Sequence, residues 1–412
     1  MRIDSCRSCK SNIQQTEVDL GVLHNTGFFP GNRETPVDLG RLDLVRCTEC
    51  DLVQLGEELD STKLFSSDNY GYNSSLNESM SSHLNGIARE VLNLTKHLDN
   101  PKIVDIGSND GTLLNHCLEL NEKIQVIGVD PNLHIWQECY NERIIKVNGF
   151  FSGELLKSNG IENIDIVTSI AMFYDLQDPM RFASDVHGAL KVGGLWIMEQ
   201  SYLPSMIQRN SFDTICHEHL EYYSLFSLKY ILENSKFAIK SVELNNSNGG
   251  SIRVVAQKLG LSKSSHTGKM ESLLKKETES RAQDFSLSKF MRSVNIWRSK
   301  FRELIEEVVE SGQVLVGLGA STKGNTLLQY CGLTANTVVY IEEINPRKHN
   351  HFTPGSLIPI YVENTHNLPR PNVKLVLPWH FKQNIIQKQD SFISTGGRLI
   401  IPLPNLHVIS GK

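Results

Sequence analysis

The sequence predicts an α/β protein built from a small cysteine-stapled N-terminal module, a central Rossmann-like domain and a second Rossmann-like domain at the C-terminus. Three observations predict it. Two Cys-x-x-Cys pairs, Cys6/Cys9 and Cys47/Cys50, fall within the first 50 residues. Strand-like and helix-like apolar patterns then alternate between residues 65 and 260, as in a mostly parallel sheet covered by helices. At Val314–Gly319 a second strand again runs into glycines. A chain of 412 residues exceeds one hydrophobic core. The expected division is 1–64, 65–260, a helical linker region over 261–311, and 312–412.

Each cysteine pair can form a knuckle that turns two thiolates toward one point, and two knuckles complete a tetrahedral zinc site. Between them FFPGNRETPVDLGRLD is rich in turn formers, so the module has little core of its own and needs a metal staple. Four sulfurs leave no open position, so Cys6, Cys9, Cys47 and Cys50 predict structural zinc. The other four cysteines stand singly at 117, 139, 216 and 331.

In the central unit the strand Lys102–Ile106 ends in Asp105-Ile106-Gly107-Ser108-Asn109-Asp110-Gly111, and a second strand ends at Asp130. Gly107 and Gly111 permit a sharp strand-to-helix turn and close approach of a ligand. Asp130 is placed to accept ribose hydroxyl bonds. The spacing Gly-x-x-x-Gly departs from a dinucleotide loop, and acids at 105 and 110 would repel a pyrophosphate. They suit a sulfonium and an ammonium, which favours S-adenosylmethionine. Further strands are expected at 144–147, 164–169 and 195–199, with a helix carrying Phe182, Ala183, Val186 and Leu190 between the last two.

Thr214–Ser224 (TICHEHLEYYS) follows the fifth strand and can reach the cofactor. Two histidines, two glutamates and two tyrosines are too polar for a core strand. A metal site, a solvated loop and proton transfer by a histidine all remain open readings. Asn69–Asn77 (NYGYNSSLN) reads as a lid or binding loop. The apolar spacing of Phe285, Phe290, Val294, Trp297, Phe301, Leu304 and Val308 predicts helix packing between about 270 and 311. In the last unit GLGASTKGN (317–325) matches neither familiar phosphate loop, although Lys323 beside glycines suits an anion. Strands are expected at 338–341, 375–377 and 398–401.

The formal charge of −5 gives no global attraction to nucleic acid or an anionic membrane. No run of 18 apolar residues occurs, and the N-terminus lacks a signal-peptide stretch, so a cytoplasmic enzyme is expected, with a monomer compatible.

Together the cysteine knuckles, Tyr70-Gly71-Tyr72 with Ser74-Ser75, SNDG (108–111), HEHLEYYS (217–224), Asn248–Ser251, GASTKGNTLL (319–328), Asn345-Pro346 and Pro354-Gly355 resemble the sugar C-methyltransferases of deoxysugar biosynthesis. The likeness runs in order along nearly the whole chain. It implies a zinc module, a central S-adenosylmethionine domain and a C-terminal Rossmann-like domain. It implies methylation of carbon 3, or sometimes carbon 5, of a nucleotide-diphospho-4-keto-6-deoxysugar. By the same resemblance His219 is the base, assisted by Glu218 and the lid tyrosines, with Tyr72 preferred as the third catalytic residue. Asp105, Gly107, Asn109, Asp110, Gly111 and Asp130 form the cofactor site. Tyr70, His217, Tyr222, Lys323 and Asn325 are expected to contact the substrate. Cys216 stands where many relatives have tyrosine, which leaves one auxiliary hydroxyl unassigned. Two other classes use the same features: an O- or N-methyltransferase on a small metabolite, and a non-catalytic nucleotide-sugar binding protein.

Overall fold

The computed structural model describes residues 1–13, 16–60, 72–260, 268–283, 286–363, 365 and 367–411. Tyr70 and Phe285 lie outside the described residues. Among those described, no helix is long and apolar enough to cross a membrane.

The first sheet is an antiparallel meander of β1 (Thr16–His24), β2 (Leu39–Arg46) and β3 (Val53–Leu55). Its fourth strand, β9 (Glu221–Tyr222), comes from the distant HEHLEYYS segment and pairs antiparallel with β3. Each cysteine knuckle closes by a backbone bond, Lys10 N to Cys6 O and Asp51 N to Cys47 O, both 3.0 Å. Lys10 and Asp51 each take φ of 62° to make that turn.

The central unit opens with α1 (Glu78–Thr95), capped by Asn77. There follow β4 (Lys102–Ile106), α2 (Thr112–Leu120), β5 (Gln125–Asp130), β6 (Ile145–Asn148), β7 (Ile164–Ile170), α3 (Pro179–Ala189), β8 (Leu190–Ser201), α4 (Leu225–Asn234), β10 (Phe237–Asn245) and β11 (Ser251–Lys258). Their order across the sheet is β10-β11-β8-β7-β4-β5-β6. The strands from β6 to β8 run parallel, while β11 is antiparallel to β8 and to β10. The central strands β4, β5 and β7 are buried on both faces. Ile103, Val126 and Ile197 pack against α1 and α2, whereas Val104, Val167 and Trp196 join a second core on the opposite face. That second core includes Cys6, Cys47 and Cys50, so the cysteine module shares its interior with the central sheet.

The expected helical region resolves into α5 (Gly268–Gln283) and α6 (Leu287–Glu310), the latter started by Ser286, whose side chain accepts from Lys289 N. Phe290, Val294, Trp297, Phe301 and Val308 form the buried stripe of α6, with Ile305 where Leu304 was expected to lead. This stripe joins the first sheet to the third through one core. The third sheet contains β12 (Leu315–Leu318), followed by α7 (Thr322–Cys331), then β13 (Ile341–Glu343), β14 (Ile360–Val362), β15 (Val373–Val376), β16 (Arg398–Ile401) and β17 (His407–Ser410). Its order is β14-β13-β12-β15-β16-β17, parallel except for β17. The expected strand over 338–341 begins only at Ile341, where pairing with Gly317 starts.

β4 lies between β5 and β7, and β12 between β13 and β15. Both are points where the strand order reverses, the usual position of a ligand crevice beyond the carboxyl ends of the strands. Residues just past both strands line one cavity.

Candidate active site

The cavity measures about 390 Å³, within the range of cofactor and substrate sites. Its lining includes Asp105–Asp110 and Asp130 from the central unit, and Ser321, Thr322, Lys323, Lys348 and His380 from the C-terminal unit. Tyr72, Tyr174, Asp175, Glu218 and His219 line it as well.

The 105–111 loop is held by hydrogen bonds to neighbouring protein groups. Asp130 accepts from Asn109 N at 3.0 Å through Oδ2 and from Asn132 N at 2.7 Å through Oδ1. Each carboxylate oxygen keeps a further lone pair for a ligand hydroxyl. Asp105 accepts from the Thr168 hydroxyl at 2.6 Å, and burial pushes its carboxyl up to about 7. Asp110 accepts from Thr112 and, at 2.8 Å, from Ser75 N. Asn109 accepts from Ser74 and donates to Tyr72 O at 3.0 Å. Asn109 and Asp110 therefore latch the 72–75 segment over the loop with their side chains. Gly111 also differs from expectation. With φ of 76°, it leaves room for the Tyr140 ring, which an added Cβ would meet at 2.8 Å. A protein side chain, not a ligand, makes that close approach.

His219 sits in the cavity wall with its ring 4.2 Å from that of Tyr174. Its Nδ1 lies 2.9 Å from Thr214 O. A carbonyl only accepts, so Nδ1 carries the proton and Nε2 presents a lone pair. Burial, then the Lys323 charge, pushes the imidazole down to about 3, so the ring is neutral. Glu218 is pushed up by burial, opposed by a Thr322 hydrogen bond and the Lys348 charge. Gly27 makes its position possible, because an added Cβ would come 2.1 Å from Glu218 Oε1.

Lys323 Nζ donates to Asn248 O at 2.8 Å, and the nearby Asp213 is pushed up to about 6 by burial. Lys348 Nζ donates to Ala320 O at 2.7 Å and lies 4.7 Å over the Phe29 ring. The loop before α7 is no phosphate cradle at Ala320, whose N–H is taken by Glu343 at 2.6 Å. Any anion there would rely on the lysines.

Three residues expected to touch substrate are not among those lining the cavity. His217 is 1% exposed; its Nε2 donates to Gly40 O at 3.1 Å, and its Nδ1 accepts from Thr26 N at 3.3 Å. Tyr222 is buried in β9, and Asn325 Nδ2 donates to Thr26 O at 2.7 Å. His217 and Asn325 are spent on holding the loop at Thr26, whereas the buried Tyr222 hydroxyl has no hydrogen-bond partner among the described residues. Conversely, Asp175, Thr322, Lys348 and His380 line the cavity without having been singled out. Asp175 lies just past the carboxyl end of β7, a position that could have flagged it.

The four Sγ atoms of Cys6, Cys9, Cys47 and Cys50 lie within 4.8 Å of one another, with Cys6–Cys50 at 3.5 Å and Cys9–Cys47 at 3.4 Å. Four thiolates at about 2.3 Å from a tetrahedral zinc stand about 3.8 Å apart. The cluster fits zinc.

Three family models match the chain in order: a zinc binding domain over residues 6–65, a methyltransferase domain over 80–242, and a C-methyltransferase C-terminal domain over 246–404. The C-methyltransferase NovU of Streptomyces niveus is 28% identical across 100% of this chain and 98% of its own. Over its whole length the chain is similar to C-methyltransferases. The C-methyltransferase uses S-adenosylmethionine and carries a structural zinc module with four cysteine ligands. Among solved structures, the CurJ carbon methyltransferase is 13% identical over 49% of this chain and 62% of its own, with a TM-score of 0.38. The plantazolicin methyltransferase BpumL, solved with SAH, is 10% identical over 44% and 86%, with a TM-score of 0.36.

Proposed function

We propose that this C-methyltransferase removes a proton from the carbon next to the ketone of a nucleotide-linked 4-keto-6-deoxysugar and methylates that carbon, carbon 3 in the first instance. The observation that carries the reading is the composition of the cavity: a methyl-donor loop, a neutral histidine with its lone pair free, and two lysines in the same lining. S-adenosylmethionine, when bound, supplies an electrophilic methyl group. An O- or N-methyltransferase has no need of a base for a carbon acid.

In this reading His219 Nε2 accepts the carbon-bound proton, while Thr214 O holds the ring in the required tautomer. Glu218 orients the sugar through a hydroxyl. Tyr72, half-exposed and latched through Asn109, covers the reacting carbon. Lys323 and Lys348 take the diphosphate as point charges. Asp130 accepts from the ribose of the donor, and Asp105 faces its cationic end.

The test is incubation with labelled S-adenosylmethionine and a panel of dTDP-, GDP- and UDP-linked 4-keto-6-deoxysugars. The expected product carries the label on the carbon adjacent to the ketone. Transfer to oxygen or nitrogen, or to none of the panel, would overturn the reading.

A further inference from the structure

Removing a proton beside a ketone moves negative charge onto the ketone oxygen, and a water-excluded site must stabilise it. Among the cavity residues with a carboxyl, Asp130, Asp110 and Asp105 have hydrogen bonds from the protein. Asp175 differs. Its Oδ1 is buried and has no hydrogen-bond partner.

We propose that the carboxyl of Asp175 donates the hydrogen bond that stabilises the ketone oxygen while His219 deprotonates the adjacent carbon, an inference that rests on the function proposed above. Its position supports the role. Asp175 ends the turn 173–175 beyond β7 and lines the cavity beside Tyr174, whose ring touches His219. Leu220 N donates to Tyr174 O at 2.7 Å, which stitches the Asp175 turn to the segment bearing His219. Acid and base are thus mounted on one wall by a backbone bond.

The surroundings supply the proton. Burial pushes the Asp175 carboxyl well above the usual carboxylate range, and the charges of Glu218 and then Glu221 push it further the same way. Arg7 approaches Glu221 at 3.8 Å, and Lys323 donates to Asn248. A neutral carboxylic acid is a donor where a carboxylate is only an acceptor, and ketosteroid isomerase uses a buried aspartic acid in this way.

The step balances. The C–H electron pair moves into the carbon–carbon bond as His219 Nε2 takes the proton, and the carbonyl π pair moves onto oxygen, hydrogen-bonded by the Asp175 O–H. Carbon then forms its bond to the methyl group while the sulfur–methyl pair stays on sulfur. The carbonyl re-forms, Asp175 keeps its proton, and the imidazolium releases its proton to solvent.

The experiment needs no methyl transfer. Full-length enzyme, S-adenosylhomocysteine and the keto-sugar are incubated in deuterated water, and deuterium entering the carbon next to the ketone is followed. Asp175→Ala should slow exchange by about 10²–10³-fold, the loss expected for one such donor. Asp175→Asn keeps an N–H donor and the shape, so it should stay within about tenfold of the parent. Thermal unfolding and S-adenosylhomocysteine binding of both variants should match the parent. Exchange unaffected in Asp175→Ala overturns the proposal. Equal damage from Ala and Asn also overturns it, because an ionised carboxylate would then be what the site uses. If the parent itself exchanges nothing, the keto-sugar reading fails and this inference falls with it.

Discussion

At the scale of single residues, the proposed proton abstraction turns on which imidazole nitrogen holds a proton. Thr214 O occupies Nδ1–H of His219, leaving Nε2 to act. His219→Asn should lower turnover by about two to four orders of magnitude while both substrates still bind, as calorimetry and single-turnover kinetics would register. Near-parent turnover would move the base elsewhere. Gly27 offers a second test, because its missing Cβ is what seats Glu218. Gly27→Ala displaces the end of a flexible side chain rather than backbone, so melting temperature should change little while kcat falls. A large loss of stability with normal specific activity would show that Glu218 has no part in turnover.

At the scale of elements, the HEH run divides its two histidines between two jobs. His219 faces the cavity, whereas His217 turns inward to bind β2 at Gly40 and the loop at Thr26. Burial pushes His217 down to about 4, with the Gly40 hydrogen bond opposing. An unfolded histidine titrates near 6.5. Between those values the unfolded chain binds the extra proton, so the stability contributed by neutral His217 falls as pH falls. His217→Gln can keep both hydrogen bonds but cannot titrate. The stability gap between parent and variant, from urea midpoints, should therefore shrink by roughly 3 kcal/mol from pH 7 to pH 4. A gap that does not move with pH would mean that the ring is not held neutral.

At the scale of the molecule, the zinc module is joined to the segment that bears His219 as well as to the central core. β3 pairs with β9, Leu55 N donates to Leu220 O at 2.9 Å, and three of the cysteines belong to the central sheet's core. Metal binding free energy there is folding free energy. Cys47→Ser should give low zinc content, a lowered melting temperature and lost activity together, while Cys139→Ser, at an exposed position, should leave all three unchanged. A well-folded, fully active, zinc-free Cys47→Ser preparation would refute the structural role.

The cysteine knuckles, the strand-glycine loops and the helix stripe of α6 were legible in the sequence, since each depends on local spacing or on a repeating apolar pattern. So was the general place of the site, because the carboxyl ends of parallel strands are predictable from their order. The residue roles were less legible. Asn109 and Asp110 have the chemistry of ligand contacts, yet they close on Ser74 and Ser75, 35 residues upstream. His217 and His219 are neighbours in sequence and face opposite ways. Lys348, Gly27 and Asp175 come from three separate stretches of chain, and nothing in their immediate sequence says that they meet around Glu218. By itself the sequence determined which segments fold, what staples the first of them, and which cofactor chemistry the loop can serve. Only the tertiary structure decided which polar groups are spent on the fold and which are left for a ligand, because a hydrogen bond between distant segments has no local signal, and a buried side chain's charge depends on the neighbours that packing brings to it.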